Sequence, residues 1–305
     1  MVVISSIKDH RFPKQNNDII TMKLSILIPT YNTVIDQLVA QLHAQCYNST
    51  LQQWEIIVID DASTDSEVQT CNSAIQQLTD TTYIQNNHNR GRSSIRNQLA
   101  QKAQFPWLLF IDADMSIPSP NYINNFIQAA STHPNTQVFC GHYSLKTPSM
   151  KSLRYLYEQD NLRHHNLCWR QKHPYRAFKA CNMLIKRQLI LQHPFSSTIQ
   201  AYGYEDLLLG ETFQHDNIQI LHINNPLLFH SFEDNATFLN KTDQSLRILA
   251  DSQPHLSQLY NIALHLQRFN LDSIVLRFFK QRKNIWIKKL LGPAPNIYQI
   301  GRAHV

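Results

Sequence analysis

Residues 24–32 read LSILIPTYN. An apolar run this short, closed by a proline, marks a strand buried on both faces. The same pattern returns in EIIVIDDASTD, residues 55–65, and in WLLFIDAD, residues 107–114. Each run ends in a polar turn. Helical apolar spacing fills the intervals over Val34–Cys46, Ser66–Leu78 and Ser93–Ala103, with a short strand at Thr82–Ile84. A helix over Asn121–Ser131 and a strand over Val138–Cys140 follow. Strands alternating with helices at this spacing predict an α/β fold, a mostly parallel sheet flanked by helices. In such sheets ligands bind beyond the carboxyl ends of the strands. Thr30–Asn32, Asp60–Asp65 and Asp112–Asp114 all fall at that edge.

Beyond residue 145 the alternation lapses. Residues 150–163 have helical spacing, and residues 164–178, rich in His, Arg and Lys, show no period. They read as a loop over a ligand, or as a solvated surface loop. Ala180–Ile185 reads as a strand, Glu205–Phe213 as a short helix after Gly203, and Ile218–Phe229 as two short strands. Helices are expected over Asn235–Ala250, Leu256–Phe269 and Ile274–Leu291, the last one basic and amphipathic.

Composition narrows the function classes. The chain of 305 residues is 43% hydrophobic, enough for a substantial core. It holds 6 glycines, with no GxGxxG and no GxxxxGK[ST], which excludes a standard dinucleotide fingerprint and a P-loop. The 5 cysteines include no CxxC pair, so they read as buried apolar groups in a reducing compartment. No window is long and apolar enough for a membrane span, and the first residues lack a secretory h-region. A cytoplasmic protein is expected, with translation starting at Met1 or Met22.

The net charge is +6. The excess lies past Asp272, in Arg277, Lys280, Arg282, Lys283, Lys288, Lys289 and Arg302. The remaining chain is close to neutral, which argues against a nucleic-acid partner and for a local anionic one. Residues 274–291 suit peripheral contact with an anionic bilayer on the inner face of the cell membrane. They equally suit a helix packed on the domain.

Several motifs carry chemistry. In DDASTD, Ser63 or Asp65 can cap the next helix while Asp60 faces a ligand. If Asp112 and Asp114 continue their strand, their side chains share a face, and two converging carboxylates call for a cation such as Mg2+ or Mn2+. Asn89-Arg90-Gly91 with Arg92 and Arg96 can grip a diphosphate or form a solvated basic face. Glu205 and Asp206 open a helix, where acids suit the dipole and where one can act as a general base. His230 ends an apolar strand and can complete a metal shell.

Taken together, LSILIPTYN, EIIVIDDASTD, NRGRSSIRNQ, LLFIDAD and GYEDLLLG resemble the family-2 glycosyltransferases of the GT-A fold, in the right order over residues 23–240. The resemblance implies an N-terminal extension over 1–22 and a catalytic domain over 23–234. Its nucleotide-binding half would be 23–115, its acceptor half 116–234, and a C-terminal helical region would occupy 235–305. Pro29, Tyr31, Asp60 and Arg90 would hold uracil and ribose, with Arg96 at the diphosphate. Asp112 would reach the ribose, Asp114 and His230 the Mn2+ or Mg2+. Asp206 would be the base and Glu205 an acceptor ligand. HSFEDNATFLNKT resembles the stretch that follows the metal-binding His in some relatives. The implied reaction is inverting transfer from a nucleotide-sugar, a UDP-sugar, to a hydroxyl of a glycan or lipid-linked acceptor. No QxxRW motif follows the Glu-Asp pair, which points to addition of one sugar at a time. A sugar nucleotidyltransferase would need a Gly-rich loop after the first strand, where this chain has PTYNTV. A non-catalytic nucleotide-sugar-binding protein would be expected to have lost Asp114, Glu205, Asp206 or His230, and all four are present.

Overall fold

A computed structural model describes residues 22–148, 152–164, 166–196 and 204–252. The expected helices over 256–269 and 274–291, and Gly203 of GYEDLLLG, lie outside the described residues.

The first half follows the expected alternation. In order come β1 (Lys23–Thr30), α1 (Asp36–Tyr47), β2 (Gln53–Asp60), α2 (Ser66–Ser73) continued by a 3-10 turn at Ala74–Gln77, β3 (Thr81–Gln85), α3 (Arg92–Lys102) and β4 (Trp107–Ile111). Then come β5 (Met115–Ser116), α4 (Tyr122–Thr132), β6 (Val138–Cys140), β7 (Tyr143–Leu145), α5 (Leu153–His164), α6 (Leu167–Lys172), β8 (Asn182–Lys186) and α7 (Arg187–Gln192). The last elements are α8 (Glu205–His215), β9 (Ile220–His222), β10 (Leu227–Phe229) and α9 (Asn235–Ser252).

Seven strands form the main sheet in the order β3-β2-β1-β4-β8-β6-β9. β2, β1 and β4 run parallel, Ile26 opposite both Ile56 and Leu109. β8 runs antiparallel between β4 and β6. Because it runs backwards, β8 starts at the carboxyl end of β4, with Asn182 opposite Ile111.

Burial on both faces explains the apolar runs. Ile26, Ile28, Ile56 and Val58 pack with Leu38, Leu42 and Phe126 of α1 and α4. Leu27, Ile57 and Ile59 pack with Ile95, Leu99, Leu189 and Leu209 of α3, α7 and α8. Alternate residues of each strand thus enter opposite layers, as a period of two requires.

Three findings were not foreseen. A second sheet, β5-β10-β7, caps the carboxyl edge. Its strands have two or three residues, too few for periodicity to register. Residues 164–178 are also not one continuous loop, since they contain α6. Asn166 caps it by accepting from the Trp169 N–H, and Arg170, buried, donates to the Ile223 carbonyl. One inward residue in a six-residue helix is too little for a visible stripe. Finally, α7 follows β8 directly, where only a strand was expected.

A buried amide holds the start of β8 beside the site. Asn182 donates to the carbonyls of His142 (2.6 Å) and Asn225 (2.9 Å) and accepts from the Tyr122 hydroxyl (2.7 Å). Gly141 runs against it. A Cβ there would stand 2.4 Å from the Asn225 carbonyl oxygen and 2.5 Å from Asn182 Nδ2. Gly141→Ala should therefore destabilise by about 1–3 kcal/mol, the usual effect of overpacking. Chemical denaturation measures this, and an unchanged midpoint would contradict the packing described.

Candidate active site

The carboxyl edge is organised by side chains that bond loop to loop. Asn32, in the left-handed region at φ 47°, donates its N–H to Ser63 Oγ (2.7 Å) and accepts from the Thr64 N–H (2.8 Å). Asp65 caps α2, accepting from the Glu67 and Val68 N–H groups, as one reading of DDASTD required. Asp61 accepts from the N–H groups of Arg90 (2.7 Å) and Gly91 (2.9 Å). Gly91 stands at φ 82°, where a side chain would be strained. This turn starts α3.

Asp60 is fully enclosed. It accepts from the Ser63 N–H (2.7 Å) and the Tyr83 hydroxyl (2.6 Å), so it braces its own loop. Tyr31 is 46% exposed, Pro29 is half-buried and Arg90 is exposed on the same edge. These three remain open to a ligand.

Asp112, Ala113 and Asp114 are not strand residues. β4 ends at Ile111 and the triplet forms a turn into β5. The shared-face argument for the two carboxylates therefore fails, and the turn separates their environments. Asp112 pairs with Arg96 at 2.7 Å. Burial alone would raise its pKa, but the Arg96 and Arg92 charges hold it below the ordinary range. Asp114 has no such clamp. Its Oδ1 is buried without a hydrogen-bond partner. Burial first, and the charge of Asp112 second, push its pKa up to about 6.

Arg96 differs most from expectation. It neither faces solvent nor stands open to a diphosphate, its side chain being only 2% exposed. Nη2 donates to Asp112 Oδ1 (2.7 Å) and Nη1 to Glu205 Oε1 (3.2 Å), and the guanidinium lies 5.4 Å from the Phe195 ring centroid. The reason was legible: Arg96 shares its helical stripe with Leu99 and Ala100, which face the core. Burial lowers its pKa, and the charges of Asp112, Asp206 and Glu205 raise it by more. Glu205 is correspondingly buried, its pKa held low by Arg96 and Arg92 against desolvation. It pairs with Arg96 at 3.2 Å and with Arg92 at 3.8 Å.

Asp206 follows Glu205 in the first turn of α8, entered through Tyr204 in the left-handed conformation at φ 69°. Its Oδ1 is also buried without a hydrogen-bond partner. Burial, then the Glu205 charge, raise its pKa to about 6, with Arg96 and Lys179 pulling the other way. Sequence reasoning overlooked Lys179. It sits just before β8, and the charges of Asp206 and Glu158 raise its pKa against desolvation.

His230 is exposed, and its N–H donates to the Asp114 carbonyl at 3.4 Å. Among the described residues no three His, Cys, Asp or Glu side chains converge closely enough to hold a metal unaided. A divalent cation that keeps waters and substrate phosphates in its shell needs only one or two protein carboxylates. The unpartnered buried oxygen of Asp114, beside the backbone of His230, fits that role.

A mostly parallel sheet flanked by helices, with Asp60 and Asp61 at the end of β2, Asp112 and Asp114 after β4, and Glu205 and Asp206 opening α8, is a fold of the GT-A type. Residues 25–190 match Glycosyl transferase family 2, and the chain belongs to that family. The poly(ribitol-phosphate) beta-glucosyltransferase of Bacillus spizizenii is 33% identical over 101 residues, 32% of this chain and 16% of that protein. The poly(ribitol-phosphate) beta-N-acetylglucosaminyltransferase TarS of Staphylococcus aureus is 30% identical over 34% of this chain and 17% of its own length. The alignments thus span under a fifth of these two relatives. Among solved structures, S. aureus TarS 1-349 with UDP superposes at a TM-score of 0.54, with 18% identity over 89% of this chain and 81% of that one. The mannosyltransferase PcManGT of Pyrobaculum calidifontis, with GDP-Man and Mn2+, gives 0.51, with 14% identity over 79% and 64%. Both show the fold. No described helix is long and apolar enough to cross a membrane.

Proposed function

We propose that this chain transfers one sugar at a time from a UDP-sugar to a hydroxyl of a glycan or lipid-linked acceptor, with inversion. The observation that carries the reading is the pair of buried, unpartnered carboxylate oxygens, Asp114 Oδ1 and Asp206 Oδ1. Each belongs to a residue one or two positions along the chain from a member of the salt-bridged Asp112–Arg96–Glu205 group. Desolvated acids without partners are poor structural elements and good binding or catalytic ones.

Pro29, Tyr31 and Arg90 would bind the uridine, above the loop that Asp60 and Asp61 hold together. Asp112, aligned by Arg96, would meet the ribose. Asp114, with His230, would hold Mg2+ or Mn2+. A bound cation would neutralise charge on the departing diphosphate. Asp206 takes the proton of the attacking hydroxyl, and its pKa near 6 suits a base at neutral pH. Glu205 and Arg96 fix the first turn of α8, so that Asp206 needs little reorganisation. The relatives named for glucosyl and N-acetylglucosaminyl transfer, and UDP on TarS, support a uridine donor.

Thermal shift with UDP-, GDP- and dTDP-sugars, with and without Mn2+, tests this. Stabilisation should be largest for a UDP-sugar and should depend on the metal. Asp114→Asn should abolish the metal dependence. Equal stabilisation by all donors in excess EDTA would contradict the assignment.

A further inference from the structure

Outside the motifs, one ion cluster borders the Asp114 corner. Glu158 of α5 is buried, and its Oε2 accepts from the Tyr143 hydroxyl of β7 at 2.7 Å. Its Oε1 pairs with Arg154, one turn earlier on α5, at 2.6 Å. The Arg154 guanidinium lies 5.7 Å from the Phe229 ring centroid and 5.6 Å from that of Phe238 on α9. Arg154 is thus held by Glu158 within α5 and set against the rings of β10 and α9.

That position adjoins the diphosphate end of the site. Phe229 pairs with Met115 across the second sheet, and these residues directly flank His230 and Asp114. The His230 N–H to Asp114 carbonyl contact closes the same corner. We propose that Arg154, held by Glu158 and Tyr143, binds the diphosphate of the nucleotide-sugar donor and stabilises it as it departs. The inference rests on the donor reading above and assigns a residue outside the resembling motifs.

The chemistry favours this use. A planar guanidinium matches phosphate oxygens through paired N–H groups. A cation set against the Phe229 and Phe238 rings works where little water screens it. Glu158 leaves the cluster close to neutral, and an incoming diphosphate restores the need for positive charge.

The test compares UDP with UMP, which lacks the second phosphate. Dissociation constants are measured by calorimetry at saturating Mn2+ for the wild type, Arg154→Gln, Arg154→Lys and Tyr143→Phe. Arg154→Gln should weaken UDP by about 10- to 100-fold, the range for a lost charge-assisted hydrogen bond, and UMP by under about 3-fold. Arg154→Lys should recover part of the difference as a point charge. Tyr143→Phe leaves the guanidinium in place but loosens it, and should fall between wild type and Arg154→Gln. Equal weakening of UDP and UMP, or no weakening of either, would overturn the proposal. Wild-type protein that binds neither nucleotide would instead overturn the donor reading beneath it.

Discussion

Asp206→Asn is expected to leave UDP binding intact and to lower sugar transfer by about 10²–10⁴-fold, the usual contribution of a general base. The same change should stabilise the protein. The folded-state pKa of Asp206 is raised to about 6, above its unfolded value. A carboxyl raised in this way contributes stability that is fully present below about pH 4 and lost as pH rises through about 6. At pH 7.5 the native state therefore holds a charge it disfavours. Asparagine removes that charge at nearly constant shape, and should add about 1–3 kcal/mol at pH 7.5 and little at pH 4. Urea melts of both proteins at the two pH values decide the matter. An active, less stable Asp206→Asn protein would move the role of base elsewhere. If Glu205→Gln were the inactive variant instead, the two acids would have exchanged roles.

The second large effect belongs to Arg96. Arg96→Met would leave the buried Asp112 and Glu205 with only the more exposed Arg92, 3.8 Å from Glu205, at a cost of about 3–5 kcal/mol, the range for breaking a buried ion pair from one side. In the wild type these acids titrate below their ordinary range. Their contribution to stability is present above about pH 4 and is lost as pH falls through the lowered values. In Arg96→Met the sign reverses, since two buried acids left with Arg92 alone prefer to be protonated. The deficit should shrink below about pH 5. Arg96→Met/Glu205→Gln should be more stable than Arg96→Met at neutral pH, because one of the stranded charges is gone. A double variant that is merely the sum of two losses would show that the three groups do not act as a unit.

Much of the half up to Asp114 was legible because its determinants are local. β1, β2 and β4 are buried on both faces and read as apolar runs. Asp65 caps α2 from within its own motif. The half beyond Asp114 depends on contacts distant in sequence, which periodicity does not register. β5, β7 and β10 are too short to alternate, and β8 enters the sheet backwards beside β4. The candidate acids were all visible, but their partners were not. Arg96 meets Glu205 across 109 residues of chain, and Asp60 turns inward to Tyr83. Arg154, Glu158 and Lys179 belong to no motif, and folding alone joins Glu158 of α5 to Tyr143 of β7 and sets Arg154 against Phe229, next to His230.

The most direct test of the central claim is nucleoside diphosphate release from a panel of UDP-, GDP- and dTDP-sugars in Mn2+, followed between pH 5 and pH 8. The account predicts release from at least one UDP-sugar, with a rate that rises with pH about a midpoint near 6, as Asp206 loses its proton. No release from any donor, or a rate that stays flat across this interval, would contradict it.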